Sequence, residues 1–267
     1  MKAFVVDTAK CNGCYACQIV CKDEHCGNDW TPYAKPQPDT GQFWLKMNEY
    51  VRGNVPHVKM SYVPVMCQHC EDAPCIKACT VEGAMFVRDD GLVIIDPIKC
   101  TGCQNCVDAC PYGAIYMNNS LNLAQKCTGC AHLLDRGWTE PRCVGACPTG
   151  ALKFGEQADM SAFAEGGETL HPEFGLKTKV TYKALPKKFI AGTVYDPTAL
   201  EVVIGATCTL TGEGETFTQQ TNHWGDFWFH DLKAGKYSLK IDAAGKSKTI
   251  ADIRTAKDVG LGNIALE

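Results

Sequence analysis

The side chains best equipped for chemistry in this chain are its cysteines. There are eighteen in 267 residues, and sixteen fall into four quartets. The first is Cys11, Cys14, Cys17 and Cys21; the second Cys67, Cys70, Cys75 and Cys79; the third Cys100, Cys103, Cys106 and Cys110; the fourth Cys127, Cys130, Cys143 and Cys147. The first and third share the spacing C-x2-C-x2-C-x3-C, and Pro111 closes the third. The second has four residues in its middle gap and the fourth has twelve. Cysteine at this density means a disulfide scaffold or metal binding. The scaffold reading needs a secretory signal and a small domain, yet Met1 to Asp7 hold neither a long apolar run nor a twin arginine. The thiols are therefore read as metal ligands.

The spacing has a physical cause. Gaps of two residues let one tight loop reach three corners of an iron–sulfur cubane, with backbone N–H groups turned toward the sulfurs. The fourth cysteine sits about a turn further on and serves the neighbouring cluster, as in two-cluster ferredoxins. Crossed ligation is expected. One cluster pair takes Cys67, Cys70, Cys75 with Cys110, and Cys100, Cys103, Cys106 with Cys79. The other takes Cys11, Cys14, Cys17 with Cys147, and Cys127, Cys130, Cys143 with Cys21, which joins the ends of the domain. Four [4Fe–4S] clusters follow. Structural zinc also accepts four thiolates, and the fourth quartet alone could suit it; the repeated surroundings of the quartets argue for one chemistry throughout.

Those surroundings set the elements. Val5-Val6-Asp7-Thr8-Ala9-Lys10-Cys11 matches Ile94-Ile95-Asp96-Pro97-Ile98-Lys99-Cys100, a short strand delivering a cysteine loop. Gly83-Ala84-Met85, Gly113-Ala114-Ile115 and Gly150-Ala151-Leu152 each read as a turn opening an apolar strand. Lys10, Lys99 and Lys126 each precede the first cysteine of a quartet, where a cation favours a reduced cluster; solvated lysines are the plain alternative. His69 could hydrogen-bond a sulfur or simply pack.

The expected fold is α+β: a duplicated, bacterial-ferredoxin-like cluster domain over residues 1–155, with an insertion at 22–66, then a linker at 156–187 packed on it, then a small all-β, immunoglobulin-like sandwich at 188–267. Alternation such as Tyr237, Leu239 and Ile241 against Ser238, Lys240 and Asp242 supports the sandwich. About seven strands are expected, with a tyrosine corner at Tyr237. Cys26 has no spacing partner, and Cys208 reads as a core thiol. No catalytic constellation and no nucleotide motif stands out. The net charge of -4 gives no sign of a nucleic-acid partner, and no stretch approaches the ~18 apolar residues of a membrane span.

The order of the quartets, the long insertion and Pro64-Val65-Met66-Cys67-Gln68-His69-Cys70-Glu71-Asp72-Ala73-Pro74-Cys75 together resemble the iron–sulfur (beta) subunits of the dimethyl sulfoxide reductase family of molybdenum enzymes. The resemblance implies a ferredoxin-like fold of two halves, four cubanes in a row, and a large catalytic partner carrying a bis-pterin molybdenum or tungsten cofactor, in a heterodimer or higher assembly. Within the family, the appended sandwich, Lys22-Asp23-Glu24-His25 and Gln125-Lys126-Cys127-Thr128-Gly129-Cys130-Ala131-His132-Leu133-Leu134-Asp135 are similar to small subunits of the pyrogallol–phloroglucinol transhydroxylase type. That type is expected to lack part of the third quartet, which is complete here, so a catechol dehydroxylase-type reductase is implied equally. The expected role is electron transfer to or from the partner, which acts on a small, polyhydroxylated aromatic substrate. A free polyferredoxin shuttle is the alternative. A cytoplasmic setting in an anaerobe is expected, or export while bound to a partner that bears the signal.

Overall fold

The computed structural model describes every residue from Met1 to Glu267. They group into two compact units: Met1–Glu49 with Tyr62–Leu185, and Tyr50–Ser61 with Pro186–Glu267.

In the first unit, strand β1 (Lys2–Asp7) leads to helix α1 (Ala16–His25), then to the hairpin strands β2 (Leu45–Asn54) and β3 (His57–Met66). After α2 (Pro74–Ala78) come β4 (Met85–Val87) and β5 (Val93–Ile95). After α3 (Asn105–Asp108) come β6 (Ile115–Asn118) and β7 (Leu123–Lys126). After α4 (Ala131–Leu134) and α5 (Arg142–Gly145) come β8 (Leu152–Glu156), α6 (Gln157–Ala164) and β9 (Val180–Lys183). Strands β4 and β5 pair antiparallel, as do β6 and β7, and as do β1 and β8. Each cysteine loop is thus mounted on the end of a short ribbon, and the β1–β8 pair joins the two ends of the cysteine-rich segment.

The three Gly-Ala turns behave as expected. Gly83, Gly113 and Gly150 have φ of 68°, 58° and 63°, a conformation that costs glycine little, and β4, β6 and β8 start two residues later. The helices pack in pairs, α1 with α5 and α2 with α3. Phe4, Trp44, Leu45, Leu92, Leu152 and Tyr182 fill the main core beside the thiols of Cys17, Cys21, Cys67, Cys127 and Cys143.

The segment read as a connector does more than link. Its strand β9 pairs parallel with β1, from Phe4–Val180 to Asp7–Lys183, and completes the three-stranded sheet β8–β1–β9. Val180 and Tyr182 are buried there. A four-residue strand has too few alternations for its period to show in sequence.

The second unit has eight strands where about seven were expected: β10 (Lys188–Asp196), β11 (Glu201–Val202), β12 (Thr207–Gly212), β13 (Glu215–Gln220), β14 (Asp226–Leu232), β15 (Lys236–Ala243), β16 (Lys246–Arg254) and β17 (Val259–Ala265). One sheet runs β11–β10–β14 with β17 parallel to β10; the other runs β13–β12–β15–β16. Ile190, Val194, Cys208, Leu210, Phe227, Leu239 and Ile241 form its core, so Cys208 is the packed thiol its sequence suggested. The Tyr237 hydroxyl donates to the Lys233 carbonyl at 3.1 Å, the expected tyrosine corner.

The tip of the β2–β3 hairpin belongs to this second unit. Arg52 makes a two-pronged ion pair with Asp258, at 2.7 and 3.0 Å, with both side chains largely buried. Asp258 also accepts the Phe189 N–H at 3.1 Å, and the Arg52 guanidinium lies 5.5 Å from the Phe189 ring centroid. His57 is buried, within 3.1 Å of the Thr193 hydroxyl. Breaking a buried pair strands a charge and costs about 3 kcal/mol or more. Arg52→Ala is expected to lower the unfolding free energy of this unit by about that much in urea titrations, and Tyr237→Phe by about 1 kcal/mol. An Arg52→Ala protein with unchanged stability would show that the insertion tip is not integral to the unit.

Candidate metal centres

Sixteen cysteines gather into four rings in the first unit, each drawn from two of the quartets. Cys79, Cys100, Cys103 and Cys106 line one pocket. Cys67, Cys70, Cys75 and Cys110 line another. Cys17 is pushed up to about 12, first by burial and then by the charges of Cys11, Cys147 and Cys14, which places those four together. Cys143 is raised, again first by burial, then by Cys130, Cys21 and Cys127, which defines the fourth ring. In each ring three thiols come from one quartet and the fourth from another.

The rings also adjoin one another. Cys67 raises Cys127, so the second ring lies beside the ring of Cys21, Cys127, Cys130 and Cys143. Cys17 raises both Cys21 and Cys143, so that ring lies beside the ring of Cys11, Cys14, Cys17 and Cys147. The first two rings are joined by their helices, since α2 and α3 pack together and each supplies or flanks a cysteine of both.

The loops fit iron–sulfur clusters rather than bare thiols. In every quartet the residue before the second cysteine has positive φ: Gly13 at 71°, His69 at 45°, Gly102 at 72° and Gly129 at 63°. That turn aims N–H groups at sulfur. The Gly129 N–H donates to Cys127 Sγ at 3.4 Å and the His69 N–H to Cys67 Sγ at 3.5 Å. Ala114 does so to Cys110 at 3.5 Å and Ala124 to Cys100 at 3.4 Å. Such donors stabilise thiolate, the form that iron binds.

His69 supplies a second sign of fit. It is fully buried, and burial, then the Lys126 charge, holds it well below the ordinary histidine range, so the ring is neutral. Its Nδ1 accepts the Val93 N–H at 3.0 Å. A backbone N–H can only donate, which leaves the ring proton on Nε2. That atom is buried and has no partner within the protein. An orphaned donor in a dry site calls for an acceptor that the polypeptide does not supply, and a cluster sulfur is one.

The insertion packs on the segments around the fourth quartet. Glu24 hydrogen-bonds His132 at 3.0 Å and forms an ion pair with Arg142 at 3.1 Å. Trp30 stacks on the His132 ring with centroids 4.4 Å apart. The Gln125 side chain donates to the carbonyls of Lys35 and Pro36 at 2.8 and 3.0 Å. His25 is buried against Trp44, 4.5 Å between centroids, and His132, 5.3 Å. The sequence showed the aromatics of this insertion but not their target. The cue was the pair of segments ending in His25 and containing His132. Cys26 sits aside, its thiol 3.3 Å from Asp39, in none of the rings.

These features define an iron–sulfur protein of the [4Fe–4S] type. A family profile described as a 4Fe-4S dicluster domain matches residues 58–157, and one described as a carboxypeptidase regulatory-like domain matches residues 190–267. The chain is 39% identical to the pyrogallol hydroxytransferase small subunit of Pelobacter acidigallici, over 98% of both chains. It is 33% identical to a tetrathionate reductase subunit of Salmonella typhimurium, over 70% of this chain and 74% of that one. It is 36% identical to a component of the anaerobic dimethyl sulfoxide reductase of Escherichia coli, over 57% and 72%. This protein belongs to the iron–sulfur subunit family of dimethyl sulfoxide reductase-type molybdenum enzymes. No helix is long and apolar enough to cross a membrane.

The buried histidine near the start of the insertion has a pH signature. Burial, then the charge of His132, brings His25 down to about 3, against about 6.5 when unfolded. The fold prefers the neutral ring, so this contribution is complete above pH 6.5 and is lost as pH falls from there toward 3. Between pH 6.5 and 5.5 the stability of the first unit is expected to fall by about 1 kcal/mol per pH unit from this group. Urea unfolding of His25→Phe should show a slope flatter by that amount.

Proposed function

We propose that this chain is the electron-transfer subunit of a molybdenum or tungsten enzyme, that it carries four [4Fe–4S] clusters, and that it passes electrons to or from a bis-pterin catalytic partner. The observation that carries the reading is the run of four adjoining thiol rings within one unit. Each ring is assigned one cluster. Cys67, Cys70, Cys75 and Cys110 hold one, and Cys79, Cys100, Cys103 and Cys106 its neighbour. Cys21, Cys127, Cys130 and Cys143 hold the third, and Cys11, Cys14, Cys17 and Cys147 the fourth. The crossed sets make the cluster unit a duplicated ferredoxin-like arrangement.

When bound, each cluster supplies a site that takes up and releases one electron at a time. The protein's part is to hold these sites close, keep water away, and set their potentials with N–H donors, burial and nearby charge. Cysteine protons must leave as iron arrives. The high thiol pKa values of Cys17, Cys70 and Cys75, each about 12 through burial first, mean that assembly releases protons at neutral pH.

The substrate lies with the partner. Similarity over the whole length, sandwich included, is to a pyrogallol hydroxytransferase small subunit, which supports a small polyhydroxylated aromatic as the substrate class. The complete third quartet equally suits net electron flow, as in a reductive dehydroxylation. A cytoplasmic heterodimer is the setting proposed, with export in complex as the alternative.

Anaerobically purified protein is expected to contain about 16 iron atoms per chain, four per cubane, and to bring molybdenum or tungsten with its partner. The same iron without either metal, in a lone chain that reduces unrelated enzymes, would point to a free polyferredoxin. Zinc in place of iron would sink the proposal. The crossed assignment is tested separately. Cys110→Ser should alter the same electron paramagnetic resonance signal as Cys75→Ser, and Cys79→Ser the same signal as Cys106→Ser. Pairing of Cys79 with Cys75 instead would reverse the assignment.

A further inference from the structure

Three lysines precede quartets, and the structure separates them. Lys10 and Lys99 have side chains 60% and 55% exposed, near Asp7 at 3.6 Å and Asp96 at 3.9 Å. Lys126 is 2% exposed, among the largest fully buried side chains of the protein. Its Nζ donates to the carbonyl of Val93 and, at 3.0 Å, to that of Cys127, and it joins no carboxylate. Burying an ammonium without a counter-charge is costly, so its partner must be an anion that the polypeptide alone does not show.

The surroundings say where that anion lies. Val93 receives Lys126 at its carbonyl and gives its N–H to His69 Nδ1. The His69 N–H in turn donates to Cys67 Sγ. An unbroken path of hydrogen bonds therefore runs from Cys67 through His69, Val93 and Lys126 to Cys127, one cysteine from each of the two inner rings. On the Cys67 side the path ends on the sulfur itself, whereas on the Cys127 side it ends on the backbone carbonyl. His69 occupies the tight turn where the other three loops have glycine, and non-glycine residues held there are a mark of function.

Resting on the cluster assignment above, we propose that Lys126 is the resident counter-cation of the two inner clusters, that it raises the reduction potential chiefly of the cluster on Cys67, Cys70, Cys75 and Cys110, and that His69 and Val93 hold it in place. Adding one electron makes a cluster and its four thiolates one unit more negative, and a fixed cation beside them favours that reduced state. The inner part of the path then holds an electron more firmly than it would without this charge.

The test is a redox titration of the full chain, purified and handled anaerobically, followed by electron paramagnetic resonance with iron counted per chain. Cys75→Ser identifies the signal of the ring in question. Lys126→Gln keeps N–H donors for the two carbonyls and removes the charge; Lys126→Met removes both. The expected result for each is full iron content with that cluster's reduction constant at least about tenfold lower, about 59 mV for a one-electron couple. A smaller fall is expected in the Cys127 cluster and none in the outer two. Lys99→Gln, at an exposed site, should move no potential by more than about twofold. Unchanged potentials, or an equal shift in all four, overturns the proposal. So does loss of that cluster's iron in both variants, because the lysine is then needed for assembly rather than for tuning. Wild-type protein without [4Fe–4S] signals would instead overturn the cluster assignment itself.

Discussion

Bringing four ionisable thiols to one cavity is opposed twice, by burial and by mutual repulsion, and the first unit is arranged around that opposition. Cys17 and Cys143 are both raised by the thiols beside them as well as by burial. Left to themselves such groups stay protonated; a polynuclear metal site reverses the balance by supplying positive charge where the repulsion is greatest. The rest of the unit keeps the rings from relaxing apart. Positive-φ turns aim N–H groups at sulfur, antiparallel ribbons anchor each loop, and the paired helices fix the cysteine that each ring takes from a second loop.

The second unit follows a different logic. It contains no ring, and its one cysteine, Cys208, is pushed up to about 12 by burial alone. Its order comes from alternating apolar side chains in two facing sheets and from Arg52, His57 and the hairpin tip that carries them. A surface insertion of a cluster domain thus acts as a structural member of a sandwich more than a hundred residues away in sequence.

Much of this was legible in the residues. Cysteine spacing marked out the quartets whose thiols the fold gathers, and the Gly-Ala turns announced β4, β6 and β8. The alternation of Tyr237, Leu239 and Ile241 announced β15, and Tyr237 its own hydrogen bond. Other features depend on partners distant along the chain. Four residues are too few to declare β9, and nothing local marks Arg52 as the mate of Asp258. The three lysines looked alike until burial divided them, though one cue was present. Lys10 and Lys99 each follow an aspartate by three residues, whereas Lys126 follows Leu123. An acid three residues back keeps a lysine at the surface, and an apolar residue there lets it turn inward.

The pairing of β1 with β8 has a further consequence for how the protein is made. Cys11 leaves the ribosome early, but the ring it joins is closed by Cys147, and the sheet that holds them together needs Leu152–Glu156. The ring of Cys67, Cys70, Cys75 and Cys110 can close while the rest is still being synthesised. Maturation therefore has a direction. The two rings drawn from Cys67 to Cys110 have all their thiols early, whereas the ring of Cys11 waits for Cys147 and strand β8, so a chain that stops before them never completes it.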